Sequence, residues 1–336
     1  NAAGELEIET GLGTLREQAP RCWTEAPGGA RLMVNARYRL DGIDVSFELD
    51  EYSPLSTLVI DPGLVWATYY GGSSPDVFND VASDAGGFVY ACGRIAASGM
   101  ATTGTHQSTY SGYVDAILVK FSASGSRVWA TYYGGAGWDA GEGVAIAGNG
   151  DAVLCGRTES STAIATIGAA QTMYGSEEDG FIARFDGSGI RVFGTYIGGT
   201  GRDWLTDVSV QGTSSIFFVG STESTNAGLV TSGCHQATLG GDFDALGGRL
   251  MFNGQTKAWC TYLGGSAFEY GGSCRTDANG NVVVVGSTGS ASGISTAGAH
   301  QTVFGGGAGD AMIQRFGISG SRIWGTYLGG SMGDGL

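Results

Sequence analysis

The eight residues VWATYYGG occupy positions 65–72 and return unchanged at 128–135. Variants follow as VFGTYIGG, AWCTYLGG and IWGTYLGG. Their aromatic anchors are Trp66, Trp129, Phe193, Trp259 and Trp324, with spacings of 63, 64, 66 and 65 residues. A near-constant period of this length marks a repeat architecture. Each unit is then one supersecondary element that buries its faces against its neighbours.

Each period contains four strand-like pieces. In the first copy they are NDVASD (79–84), FVYAC (88–92), DAILVKF (115–121) and RVWATYY (127–133). The first two are joined by short Gly-rich turns. Asn-Gly at 149–150 and 279–280 predicts type I′ hairpins, whose two central residues both need positive φ. The third and fourth pieces are joined by SASGS, DGSGI, NGQT and ISGS. The second pieces, FVYAC, AVLC, IFFV and VVVV, are apolar on both faces. Strands that read this way lose water on both sides. Four antiparallel strands per unit, packed on a neighbour at each side, describe a β-propeller blade. A linear β-solenoid is the competing fold, although its coils are shorter than this period and lack such hairpins. In the propeller the motif is the last strand of a blade. Its Trp packs on the adjacent sheet, and Gly-Gly lets the chain turn away.

The stretches GAHQTVFGGGAGDAMIQRFGISGSRIWGTYLGGS (298–331) and DANGNVVVVGST (277–288) resemble the bacterial SBBP-type β-propeller repeat. The likeness covers residues 63–336. It implies secretion or surface attachment and no particular reaction. Residues 1–62 differ in character. ELEIET, RLMVNARYRL, DVSFELD and STLVIDP read as strands of a small β-rich N-terminal segment. This segment resembles the end of the uncharacterised domain that often precedes such repeats. The expected fold is therefore all-β: blades of about 64 residues after that segment, with four full periods and the start of a fifth. The chain ends inside its own pattern, which suggests a fragment.

Composition narrows the function classes. The chain of 336 residues has 62 Gly, 15% charged residues and a net charge of −15. Only Lys120 and Lys257 are lysines. Nucleic-acid binding needs a basic footprint, and none is present. No run of 18 apolar residues exists to insert in a membrane. The start, NAAGELEIET, has neither the basic nor the apolar region of a signal peptide.

The charges follow the repeat. Asp76, Asp139, Asp203, Glu269 and Asp334 fall ten residues after the anchors, and Asp115, Asp179, Asp244 and Asp310 open the third strands. Lys120, Arg184, Arg249 and Arg315 lie within those strands, while Arg127, Arg191, Lys257 and Arg322 precede the fourth. A catalytic group is needed once. A group needed in every unit caps turns and satisfies backbone donors. The functional alternative is Ca2+ in each inter-blade loop, with the first acidic set as ligands. Gln107, Gln171, Gln236 and Gln301 also recur. They tie their loops together, or else bind a sugar hydroxyl. His106, His235 and His300 precede three of these glutamines. Their shared phase spreads them over different blades, away from one metal.

Six cysteines include no C-x-x-C pair. Cys92 and Cys155 share a phase with Val219 and Val285 and read as small core residues. Cys22, Cys234, Cys260 and Cys274 are left for one or two disulfides. No G-x-S-x-G elbow, P-loop or H-E-x-x-H is present. The loop after the second strand is about 20 residues long (94–113 in the first copy), against turns of 3–5 at the other end. Long loops on a rigid scaffold are where function concentrates, and this face carries Tyr110, Tyr113 and Tyr174.

The function expected from these features is a non-enzymatic extracellular structural or interaction module without a cofactor. It meets protein or glycan at its long-loop face and assembles with itself into a homo-oligomer, filament or surface layer. The alternatives are a carbohydrate-binding propeller and, behind it, a propeller hydrolase or lyase.

Overall fold

A computed structural model describes residues 4–10, 13–25, 30–42, 44–61, 66–225 and 228–334. The chain divides into two compact units, residues 1–69 and 70–336. Every regular element in both is a β-strand.

The first unit holds β1 (Leu6–Thr10), β2 (Gly13–Glu17), β3 (Arg21–Glu25), β4 (Arg31–Val34), β5 (Ala36–Asp41), β6 (Asp44–Leu49) and β7 (Thr57–Asp61). β1 pairs with β2, β5 pairs with β6, and β3 lies between β4 and β7. The stretch RLMVNARYRL is thus two strands in two sheets. They part at Asn35, whose side-chain amide donates to Asp50 Oδ2 at 2.7 Å. Among the described residues of this unit Leu6, Cys22, Trp23, Thr24 and Val34 are buried. Residues 66–72, the first copy of the motif, form no strand. A strand exists only through its ladder, and the segments just before this copy pair among themselves.

The second unit is four antiparallel sheets of four strands each. Sheet 1 is β8 (Val77–Ser83), β9 (Val89–Ile95), β10 (Asp115–Phe121) and β11 (Arg127–Tyr133). Sheet 2 is β12 (Asp139–Ile146), β13 (Ala152–Thr158), β14 (Asp179–Phe185) and β15 (Arg191–Ile197). Sheet 3 is β16 (Asp203–Gln211), β17 (Ser215–Thr222), β18 (Asp244–Met251) and β19 (Lys257–Leu263). Sheet 4 is β20 (Glu269–Thr276), β21 (Val282–Thr288), β22 (Asp310–Phe316) and β23 (Arg322–Leu328). In every sheet consecutive strands are neighbours.

The turns differ from the type I′ expectation. Gly150 and Gly280 have φ of 85° and 77°, but Asn149 and Asn279 are not in the left-handed region. The loop is one residue longer. Ala147 N–H donates to Asp151 O and Gly150 N–H to Ala147 O. This is a type I turn closed by a glycine bulge, so only the glycine needs positive φ.

Each first strand also carries a bulge, at Phe78/Asp80, Gly141/Gly143, Leu205/Asp207 and Gly271/Ser273. Gly93, Gly156, Gly220 and Gly286 sit opposite these bulges and let the second strand run on to Ile95 and its equivalents. A Cβ at Gly156 would lie 1.9 Å from the carbonyl oxygen of Ala140. Main chain cannot yield to that extent. Gly156→Ala is expected to cost about 3 kcal/mol, read as a shift in the denaturant midpoint. A shift within experimental error would contradict this account of the bulge.

The sheets pack face to face in chain order. Three apolar cores lie between them: Cys92, Trp129 and Leu154 between sheets 1 and 2; Cys155, Phe193 and Phe218 between 2 and 3; Val219, Trp259 and Val284 between 3 and 4. The first strand of each following sheet lies on the first and second strands of the sheet before it: β12 on β8 and β9, β16 on β12 and β13, β20 on β16 and β17. Burial follows this order. β13 and β17 are buried almost throughout, whereas β9 and β21 in the end sheets alternate buried and half-buried residues. All six cysteines are free; Cys22, Cys92, Cys155, Cys260 and Cys274 are buried.

Candidate functional site

The long loops, residues 96–114, 159–178, 223–243 and 289–309, leave their sheets at the end where the Gly-Gly exits also lie. Here the two acidic series meet. The first residue of each third strand stands beside the first residue of the next sheet's first strand. A Cβ at Gly134 would meet both Asp139 Oδ2 and Asp115 Oδ1 at 2.5 and 3.0 Å, and Gly198 and Gly264 occupy the same place in the next joints.

In the first joint Gln107 Nε2 donates to Asp115 Oδ2 at 2.9 Å, and Gln107 Oε1 accepts from Gly134 N–H at 3.2 Å. Ser111 N–H also donates to Asp115. Asp139 accepts from Gly135 N–H at 3.0 Å, from Ser160 Oγ at 2.8 Å and from the Thr158 hydroxyl. Asp203 repeats this with Gly199, Ser224 and Thr222. Glu269 does so with Gly265 and Thr288. Asp179, Asp244 and Asp310 each take a glutamine amide and a loop N–H. Asp76 accepts from Gly72 and Ala96 N–H, and Asp334 from Gly330 N–H. Both acidic series are therefore engaged with main chain and hydroxyls. Among the described residues no three His, Cys, Asp or Glu side chains gather as a metal-holding group.

The basic series caps carbonyls. Arg191, Lys257 and Arg322 each donate to two consecutive carbonyls of their own sheet's long loop. Arg184 and Arg249 reach forward to Phe252 O at 2.7 Å and Ile318 O at 3.2 Å in the next sheet's third turn. His106 packs on Tyr133 and Phe185, and His235 on Phe316. Burial lowers His106 to about 4, aided by Arg191, and burial also lowers His235. His106 is a neutral packing group near pH 7.

Burial raises the carboxyls of Asp115, Asp139, Asp179, Asp203 and Asp244. Asp115 and Asp179 rise to about 7, helped by the facing charges of Asp139 and Asp203. Asp203 and Asp244 rise to about 6. Asp115 and Asp179 also leave Oδ1 without a donor. A carboxyl raised in the fold binds its proton more tightly there than in the unfolded chain, whose value is about 4. The fold is then favoured below about pH 4, and that contribution is lost as pH rises through 6 to 7. The melting temperature should fall between pH 5 and pH 8, and Asp115→Asn should flatten the slope. A melting temperature that rises over this interval would overturn the reading.

The same end holds residues that break the repeat. Trp204, Phe243, Phe268 and Tyr270 form one aromatic cluster, with Phe243 and Tyr270 centroids 4.5 Å apart. Tyr270 is 45% exposed. Positions equivalent to Trp204 carry Val77 and Ala140 in the first two sheets. In sheet 2, Arg157 lies over Trp138 and bridges Glu142 and Glu178 at 3.0 and 3.5 Å. Burial raises Glu178. Reasoning from the repeat passed over these residues because it collected only what recurs. Subtracting the repeat would have exposed them.

The family described as a domain of unknown function, DUF7948, matches residues 1–63. That match covers under a fifth of the chain, all of it before the four sheets. No curated protein matches the chain.

Proposed function

We propose that residues 70–336 are blades of a β-propeller of the SBBP type that serves outside the cell as a structural and interaction module and performs no chemistry. The supporting geometry is the repetition of four-stranded antiparallel sheets that pack face to face in chain order, each through the first strand of the following sheet. The observation that carries the functional reading is the joint itself. Buried carboxylates recur in every sheet and are spent on glycine N–H groups and hydroxyls of the chain.

A panel of ester, glycoside and peptide substrates should show no turnover. Turnover that is abolished by Glu178→Gln would overturn the reading, because Glu178 is a raised carboxyl outside the repeat pattern. A second reading, glycan binding at the long-loop face, is favoured by the aromatic cluster around Phe243 and Tyr270, since exposed rings stack on sugar faces. A glycan array should then show hits that Tyr270→Ala removes. An array without hits discards it.

A further inference from the structure

The joint between two consecutive sheets holds a space that a glycine keeps open. A Cβ at Gly134 would lie 2.5 Å from Asp139 Oδ2 and 3.0 Å from Asp115 Oδ1. At Gly198 it would lie 2.5 Å from Asp179 Oδ1 and 2.9 Å from Asp203 Oδ2. Each glycine makes room where one carboxylate oxygen arrives from each of two sheets. All four acidic residues are fully buried.

The two oxygens at each space differ in their partners. Asp139 Oδ2 accepts from Gly135 N–H and Ser160 Oγ, and Asp203 Oδ2 from Gly199 N–H and Ser224 Oγ. Asp115 Oδ1 and Asp179 Oδ1 have no donor, although the other oxygen of each carboxylate is held by a glutamine amide and a loop N–H. A buried polar atom left in this way marks the place of a group the chain does not supply, a water or an ion. Two facing carboxylates call for positive charge, and the basic side chains that recur beside the joints do not bring it. Arg184 and Arg191 reach main-chain carbonyls instead. The third joint supplies the contrast. Gly264 keeps the same space between Asp244 and Glu269, but Asp244 Oδ1 there accepts from Gly241 N–H at 3.2 Å.

We infer that the spaces over Gly134 and Gly198 are Ca2+ sites, each bridging the carboxylates of two consecutive sheets, Asp115 with Asp139 and Asp179 with Asp203. The side-chain atoms that face each space are oxygens, which selects a hard cation, and two carboxylates balance a divalent one. Oxygens within 3.0 Å of a shared point lie in reach of Ca2+, whose bonds are about 2.3–2.6 Å and whose geometry is flexible. Mg2+ needs a near-ideal octahedron and keeps its water. Each site uses only two acidic side chains, and the ion completes its shell from carbonyl, hydroxyl and water oxygens. The ligands therefore differ from the sequence expectation, in which the first acidic series alone held the ion. The inference goes beyond the structural-module reading and does not depend on it. An ion in the joint fastens one sheet to the next.

The test is isothermal titration of CaCl2 into the whole chain after removal of divalent ions with a chelator, with thermal melting of the same samples. Wild type should bind Ca2+ with a dissociation constant below about 1 mM, and about 10 mM Ca2+ should raise the melting temperature by about 2–5 °C. Asp115→Asn and Asp179→Asn should each remove one bound ion. Asp244→Asn should remove none, because its Oδ1 already has a donor. Circular dichroism without Ca2+ would show that all three variants fold. The pH dependence described above belongs to the chain free of Ca2+. An absence of binding heat and of any rise in melting temperature would overturn the inference and leave a proton on the free oxygens. An equal rise with MgCl2, which is screening of an acidic surface, would overturn it too. So would a stoichiometry that Asp115→Asn and Asp179→Asn leave unchanged. None of these outcomes bears on the structural-module reading, which the substrate panel tests by itself.

Discussion

Trp129→Ala should lower the stability of the repeat unit by about 4 kcal/mol, whereas Trp324→Ala should cost about 1 kcal/mol. The two residues hold the same place in their sheets and differ in what lies over them. Trp129 sits in the core between sheets 1 and 2, is 5% exposed and donates its indole N–H to Gly187 O. Removing it empties a large volume and takes the indole donor away from Gly187 O. Trp324 is only half-buried and lines an open cavity. Urea denaturation followed by circular dichroism would measure both, with dilute protein so that self-association does not add to the result. Equal losses would mean that the capping turns contribute nothing.

Asp203→Ala should cost about 3 kcal/mol, the second large effect. Asp203 is fully buried and accepts from the Thr222 hydroxyl, Ser224 Oγ and Gly199 N–H. Alanine leaves all three donors facing a void at the seam between sheets 2 and 3. Asp76→Ala should cost far less, since Asp76 holds its two loop N–H groups at a more exposed site. Thermal melts of the two variants at pH 7 would decide. If both lose the same amount, the joints are not the source of cohesion between sheets.

Much of this architecture was legible from the period. The anchors, the third strands opened by Asp115, Asp179, Asp244 and Asp310, and the tight turns all follow from one geometric problem solved four times. The third and fourth strands of sheet 1 begin and end where the pattern places them, because a charged residue and a Gly-rich turn bound each one. Other features were not legible. The bulge opposite Gly156 depends on which residue faces which across a ladder, and register is invisible in a single sequence. The turn type at Asn149 hung on one residue of loop length. The first copy of the motif reads as a strand but forms none, because strand pairing belongs to partners and not to the segment itself.

The candidate site was legible in part for a similar reason. Periodicity located both acidic series but could not show that Asp115 and Asp139 converge across two sheets, since they belong to different periods. The apolar second strands announced two buried faces in all four sheets. Burial departs from this only in β9 and β21, which belong to the first and last of the four sheets, and that difference depends on position in the row and not on composition. The cluster of Trp204, Phe243, Phe268 and Tyr270 was passed over because it belongs to no period.

The central claim is that each of sheets 1 to 3 is capped by its successor at the aromatic anchor, Trp129, Phe193 or Trp259. Exchange of the indole N–H protons, followed by NMR on dilute nitrogen-15-labelled protein, addresses it directly. Trp129 and Trp259, bonded to Gly187 O and Ile318 O, should exchange slowly, and Trp324 should exchange at close to the rate of an open indole. Fast exchange at Trp129 and Trp259, equal to that at Trp324, would contradict the head-to-tail packing on which the account stands.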